Sequence, residues 1–218
     1  MLKNFAVFFG LAFLLVGCAT KEPMPQIVYD YGAISPVRPT PPPQPPVVQP
    51  KPPTVTPGYL PRSWFPPSRL EKSWSAVIIH HSATRTGNAA IFDKWHREEN
   101  GWEGVGYDFV IGNGSDSGDG EIEPTFRWRN QIPGAHTGGT PGNWANVDGI
   151  GICLVGDFDS SSPTSRQMQS LARLVQFLQQ RYGIPKSRIY GHGTTPGGHI
   201  TDCPGRRFPM STLKSSLP

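Results

Sequence analysis

The chain has 218 residues, only 17% of them charged, with 25 prolines and a formal net charge of +4. That charge is mild, part of it lies in the N-terminal segments, and no lysine or arginine run offers a track for nucleic acid. About 150 residues remain after those segments, enough for one domain with a sizeable core.

Lys3 supplies a positive start, and Phe5 to Val16 is an apolar stretch short of a membrane span. It closes in Leu15-Val16-Gly17-Cys18, which resembles a bacterial lipobox. Residues 1–17 are therefore expected to be a signal peptide, with Cys18 as the lipid-modified N-terminus. Ala19 follows, so nothing resembles an inner-membrane retention signal. The expected location is the outer membrane, facing the periplasm, with the membrane reached through the anchor. Residues 18–69 read as a tether: positions 36 to 67 hold fourteen prolines. Such a segment favours extended polyproline II at about 3.1 Å per residue, a reach on the order of 100 Å. The domain is expected over 70–218.

Within it, Ala76 to His80 reads as a short, apolar, β-branched buried strand. Asn88 can cap a helix to about Asn100, with Ile91, Phe92 and Trp95 on one side. A second strand is expected from Gly106 to Ile111, and Asp119-Gly120 signals a hairpin turn before Glu121-Ile122-Glu123. The spacing of the stretch before that turn misses the calcium-loop pattern. Gly149 to Phe158 reads as another strand. Pro163-Thr164 opens the clearest helix, to about Tyr182, with an apolar stripe of Met168, Leu171, Leu174, Val175 and Leu178. Ser187 to Tyr190 leads as a last strand into Gly191-His192. This alternation predicts a single α/β domain with a central mixed sheet flanked by helices.

The chemistry-bearing residues stand at strand ends. His80 closes the first strand, His192 follows the last, and Cys203 ends the polar loop that begins at Gly193. Two imidazoles and a thiolate form a three-ligand set for a catalytic zinc, with the fourth position left to water. His81 and His199 are competing ligands. Neighbouring side chains on a strand face opposite ways, so only one of His80 and His81 can point at a metal. Cys153 is expected to be buried and inert, with a Cys153–Cys203 disulfide as the rival. His96 is expected to be a surface or packing residue.

Several ordered motifs carry a family resemblance. They are Ile79-His80-His81-Ser82-Ala83-Thr84, Trp95-His96-Arg97-Glu98, Val105-Gly106-Tyr107-Asp108-Phe109, Gly134-Ala135-His136-Thr137, the run from Gly149 to Phe158, Pro163-Thr164, Gly191-His192 and Thr201-Asp202-Cys203-Pro204-Gly205. Together they resemble the zinc N-acetylmuramoyl-L-alanine amidases of the amidase-2 type, a family that includes peptidoglycan recognition proteins. The resemblance implies Zn2+ on His80, His192 and Cys203, a catalytic tyrosine at Tyr107, and Thr201 as donor to the developing oxyanion. His136 is placed in the cleft as a substrate contact. The substrate it implies is peptidoglycan or a muropeptide, cut between N-acetylmuramic acid and L-alanine. A peptidoglycan-binding module without catalysis is the alternative. The loop from His192 to Cys203 is a few residues longer than the common family pattern.

Overall fold

The computed structural model describes residues 60–218. The expected signal peptide, Cys18 and most of the proline-rich tether lie outside the described residues. In chain order the elements are β1 (Ala76–His81), α1 (Ala89–Glu98), β2 (Phe109–Ile111), β3 (Ile122–Pro124), α2 (Phe126–Asn130), α3 (Trp144–Val147), β4 (Gly149–Leu154), α4 (Ser165–Tyr182), β5 (Ile189–Gly191) and α5 (Met210–Ser216). The sheet order is β3-β2-β4-β1-β5. β1 lies parallel to β4 and β5, β2 lies parallel to β4, and only β3 is antiparallel. This is the expected mixed sheet flanked by helices.

The register assigns each side chain to a face. Val77 pairs with Ile150, Ile79 with Ile152 and His81 with Leu154; Ala76 pairs with Gly149, Ile78 with Gly151 and His80 with Cys153. Successive strand residues alternate in direction, so the first set lines one face and the second set the other. The first face joins Phe109, Ile111 and the α4 residues Leu171, Leu174, Val175 and Leu178 in the main core. α4 is built for this role. The Thr164 hydroxyl accepts from the Gln167 N–H, the Gln167 side chain accepts from the Thr164 N–H, and Gly183 ends the helix in the left-handed region.

Four sequence expectations shift. The last ten residues assigned to the tether are anchored to the domain at single points: Trp64 is buried, Leu60 rests on the core, and the Trp128 indole donates to the Trp64 carbonyl at 3.0 Å. Proline content hid an aromatic anchor. In α1 the buried residues are Phe92 and His96, while Ile91 and Trp95 are 45% and 43% exposed. The Phe92 ring fills the space over Gly87, where a Cβ would stand 2.4 Å away, and this sets the helix rotation. β2 starts at Phe109 because Gly106 is bonded elsewhere, its N–H donating to His96 Nδ1 and its carbonyl accepting from Ala135. β4 ends at Leu154, since Gly156 turns the chain at φ 153° into the Asp157–Ser161 turn. The hairpin at Asp119-Gly120 forms as expected, with Gly120 at φ 76°.

Candidate metal centre and active site

Three segments end at one point. At the edge of β1, His80 shares a face with Ile78, Gly151 and Cys153. His81 turns to the other face, where its Nδ1 accepts from the Phe158 N–H at 3.0 Å. β5 delivers His192 into a 3-10 turn, and the loop beyond it doubles back, the Gly193 N–H donating to the Cys203 carbonyl at 2.7 Å. A Cβ on Gly193 would stand 2.0 Å from the Thr201 carbonyl oxygen, so this closure requires glycine.

The result is a compact donor set. His80 Nδ1 lies 3.7 Å from Cys203 Sγ, and the ligand atoms of His80, His192 and Cys203 all fall within 4.8 Å of one another. No other group of three such ligands occurs among the described residues. Tetrahedral zinc bonds of about 2.0 Å to nitrogen and 2.3 Å to sulfur set those two atoms about 3.5 Å apart. His192 Nε2 is buried without a hydrogen-bond partner. Burial pushes the Cys203 thiol up to about 12, against the pull of the His81 backbone N–H. Burial, and then the neighbouring imidazoles of His136 and His192, holds His80 well below its usual pKa and therefore neutral. Neutral imidazoles and a thiol that gives up its proton to a cation suit zinc, so the residues present fit the ion.

Around this set, the Tyr107 ring lies 5.2 Å from that of His80. Burial raises the phenol well above its usual pKa, and Tyr107 packs against the apolar cluster that contains Cys153. Cys153 is thus buried, as expected, but it touches the site, and both it and Cys203 are free thiols. Thr201 Oγ1 accepts from the Cys203 N–H at 3.2 Å, which leaves its own proton available to donate. His199 is drawn away from the ligand set: its N–H donates to the Gly138 carbonyl at 3.0 Å, and its ring packs on Gly138 and Gly139. His96 is buried, contacting Trp102 and Tyr107. His136, expected as a substrate contact, is also buried. It meets His80 Nε2 at 3.1 Å, on the side of that ring away from Cys203. A hollow of about 260 Å³ opens on the ligand loop and is lined by Gly193, Thr201, Cys203 and Pro204 among others.

Residues 70–206 match the N-acetylmuramoyl-L-alanine amidase family of the amidase-2 type. The chain belongs to that family. Its amidase domain is 31% identical over 140 residues to peptidoglycan-recognition protein SC2 of Drosophila melanogaster, covering 60% of this chain and 68% of that protein. It is 34% identical over 123 residues to the endolysin of Escherichia phage T7, covering 52% of this chain and 72% of the endolysin. Among solved structures, the N-acetylmuramoyl-L-alanine amidase LysC of Clostridium intestinale superposes with a TM-score of 0.55 at 28% identity, over 66% of this chain and 84% of LysC. A variant of Drosophila peptidoglycan-recognition protein LB, solved with tracheal cytotoxin, superposes at 0.51 and 27% identity, over 67% and 83%.

The amidase domain also contains neighbours that sequence reasoning passed over. Asn146 of α3 clamps the backbone on either side of His136. Gly151 leaves room for the His136 ring, and Cys153 belongs to the cluster against which Tyr107 packs. One signal was present: the small residues of β4 recur at alternate positions, which marks a face kept open.

Proposed function

We propose that this chain is a zinc-dependent amidase that hydrolyses the bond between the lactyl group of N-acetylmuramic acid and L-alanine. The substrate is peptidoglycan or a soluble muropeptide. The observation that carries this reading is the convergence of His80, His192 and Cys203 within 4.8 Å beside Tyr107 and Thr201. The tracheal cytotoxin bound by the related recognition proteins supports a peptidoglycan-derived ligand.

His80, His192 and Cys203 would hold the ion. Zinc there supplies a Lewis acid that activates water near neutral pH and polarises the scissile carbonyl. Tyr107 remains a neutral phenol and orients the attacking water. Thr201 donates its hydroxyl proton toward the carbonyl oxygen as charge develops there. A neutral hydroxyl stabilises that charge less than a cationic side chain would.

The N-terminal sequence supports a lipid anchor at Cys18, with residues 18–59 as tether. A lipid-held domain on such a spacer reaches a polymer lying a short distance from a membrane, and the outer membrane facing the periplasm is the proposed location. Failure of a fatty-acid probe to label Cys18 in cells would remove the anchor.

The deciding experiment measures zinc content and wall digestion together on the purified chain. One zinc per chain, with chelator-sensitive release of new L-alanine amino termini, is expected. Zinc and wall binding without release would instead mark a binding module.

A further inference from the structure

His136 is held on every side by structure that has no other evident purpose. The Asn146 side-chain oxygen accepts from the His136 N–H at 2.8 Å and from the Thr137 N–H at 3.0 Å. The Asn146 amide donates to the Thr137 carbonyl at 2.8 Å and to Asn143 Oδ1 at 2.7 Å. The ring then slides into a slot made by two glycines. A Cβ on Gly134 or on Gly151 would stand 2.4 Å from His136 Cδ2. His136 as a whole is 7% exposed.

Counting protons gives the ring a task. His80 Nδ1 faces Cys203 at 3.7 Å, so a cation shared with that sulfur takes the Nδ1 lone pair. A neutral imidazole carries one proton, and in this case it sits on His80 Nε2. That nitrogen is 3.1 Å from His136 Nδ1. His136 Nδ1 must then be the acceptor, with the Thr137 hydroxyl at 2.9 Å as a second donor to it. The His136 proton moves to Nε2, which is buried without a hydrogen-bond partner. The opposite arrangement, with the proton on His136 Nδ1, would put a proton on His80 Nδ1 and close the ligand position.

We propose that His136 is a positioning residue that accepts the Nε2 proton of His80, fixing the tautomer and angle in which His80 presents Nδ1 to the metal. This rests on the zinc reading above. It reassigns His136 from the substrate to the metal centre, and it gives Gly134, Gly151 and Asn146 a shared function: they hold the acceptor in place. Hydrogen bonds of this kind to a ligating histidine are worth about ten- to a hundredfold in metal affinity.

The test measures zinc affinity of the full chain by competition with a chromophoric chelator. His136→Leu, which fills the slot without an acceptor, should weaken zinc binding about ten- to a hundredfold. His136→Asn places an amide oxygen near the former Nδ1 position and should recover most of the loss. Once loaded with zinc, both variants should keep the wild-type KM for a muropeptide. A folded His136→Leu that binds zinc like wild type would overturn the proposal, as would a defect confined to KM, which would return His136 to the substrate. Should His136→Leu not fold, 15N spectra of the zinc-loaded wild type decide: His80 protonated at Nε2 and His136 bare at Nδ1 is expected, and the reverse overturns it. Wild type that takes up no zinc would instead sink the amidase reading itself.

Discussion

The two faces of the sheet come from the same strand pairs and follow opposite rules. On the α4 face, Val77, Ile79, Ile150, Ile152 and Leu154 present large branched side chains that interlock with Leu171, Leu174, Val175 and Leu178. On the other face, β4 offers Gly149, Gly151 and Cys153 against Ala76, Ile78 and His80. The first face holds the main core, while the second carries only the smaller clusters around Ile78 and Cys153. The second gives up side-chain volume, and the space admits the His136 ring, the Tyr107 phenol and the ligand set. One strand, Gly-Ile-Gly-Ile-Cys-Leu, therefore serves both purposes through its two-residue period.

This contrast can be broken from either side. The largest expected effect is on the open face. Cys203→Ser should lose stoichiometric zinc and about a thousandfold or more of amidase activity, since a catalytic metal contributes several kcal/mol and each 1.36 kcal/mol is tenfold. The melting temperature of the metal-free protein should stay within a few degrees of wild type. Full activity in this variant, measured by muropeptide cleavage, would remove Cys203 from the ligand set. The converse comes from Leu174→Ala, buried under the closed face. It should cost about 2–5 kcal/mol in denaturant unfolding, with activity per folded molecule unchanged. A catalytic defect at full stability would mean that the two faces are not separable.

Asp108 sharpens the boundary between them. It is fully buried, one carboxylate oxygen accepts from the Gly151 N–H at 2.8 Å, and the other has no partner. Burial raises its pKa to about 7, although the Gly151 N–H, Lys72 and Arg127 pull it back. The folded state thus keeps this proton up to about pH 7, whereas the unfolded chain releases it near pH 4. The fold binds the extra proton across that window, so the Asp108 contribution to stability is present below about pH 4 and lost as pH rises to 7. Asp108→Asn should remove the loss, gaining on the order of 2–4 kcal/mol above pH 7 and little near pH 4. Thermal melts across that range check it, and a pH-independent difference would refute it. The smallest effect tests the phenol: Tyr107→Phe should lower kcat about a hundredfold while zinc stays bound. An unchanged kcat would reduce Tyr107 to packing against His80.

How far the sequence could be read depended on whether a residue's role was set locally. α4 was legible because the Thr164–Gln167 cap, the apolar stripe and Gly183 all act within one helix. His80, His192 and Cys203 were legible as chemistry because residue type and strand-end position name a zinc donor set. The rotation of α1 was not, since Ile91 and Trp95 mark an apolar stripe as well as Phe92 does. The packing of Phe92 over Gly87 decides between the faces. Trp64 was misplaced in the tether because its burial depends on Phe177 and Trp128, which lie more than sixty residues away.

By itself, then, the sequence determined the strands, the long helices α1 and α4, the α/β class and the identity of the candidate ligands, while the ordered motifs carried the resemblance to an amidase family and the short helices α2, α3 and α5 went unread. The strands, the long helices and the ligands rest on periodicity, capping and residue chemistry, which act over a few residues. Only the tertiary structure decided which of two adjacent histidines faces the centre, that His199 is tied to Gly138 instead, and that His136 stands against His80. Those outcomes depend on strand register and on loops closing over glycines. Register and closure join residues distant in the chain, so no local pattern encodes them.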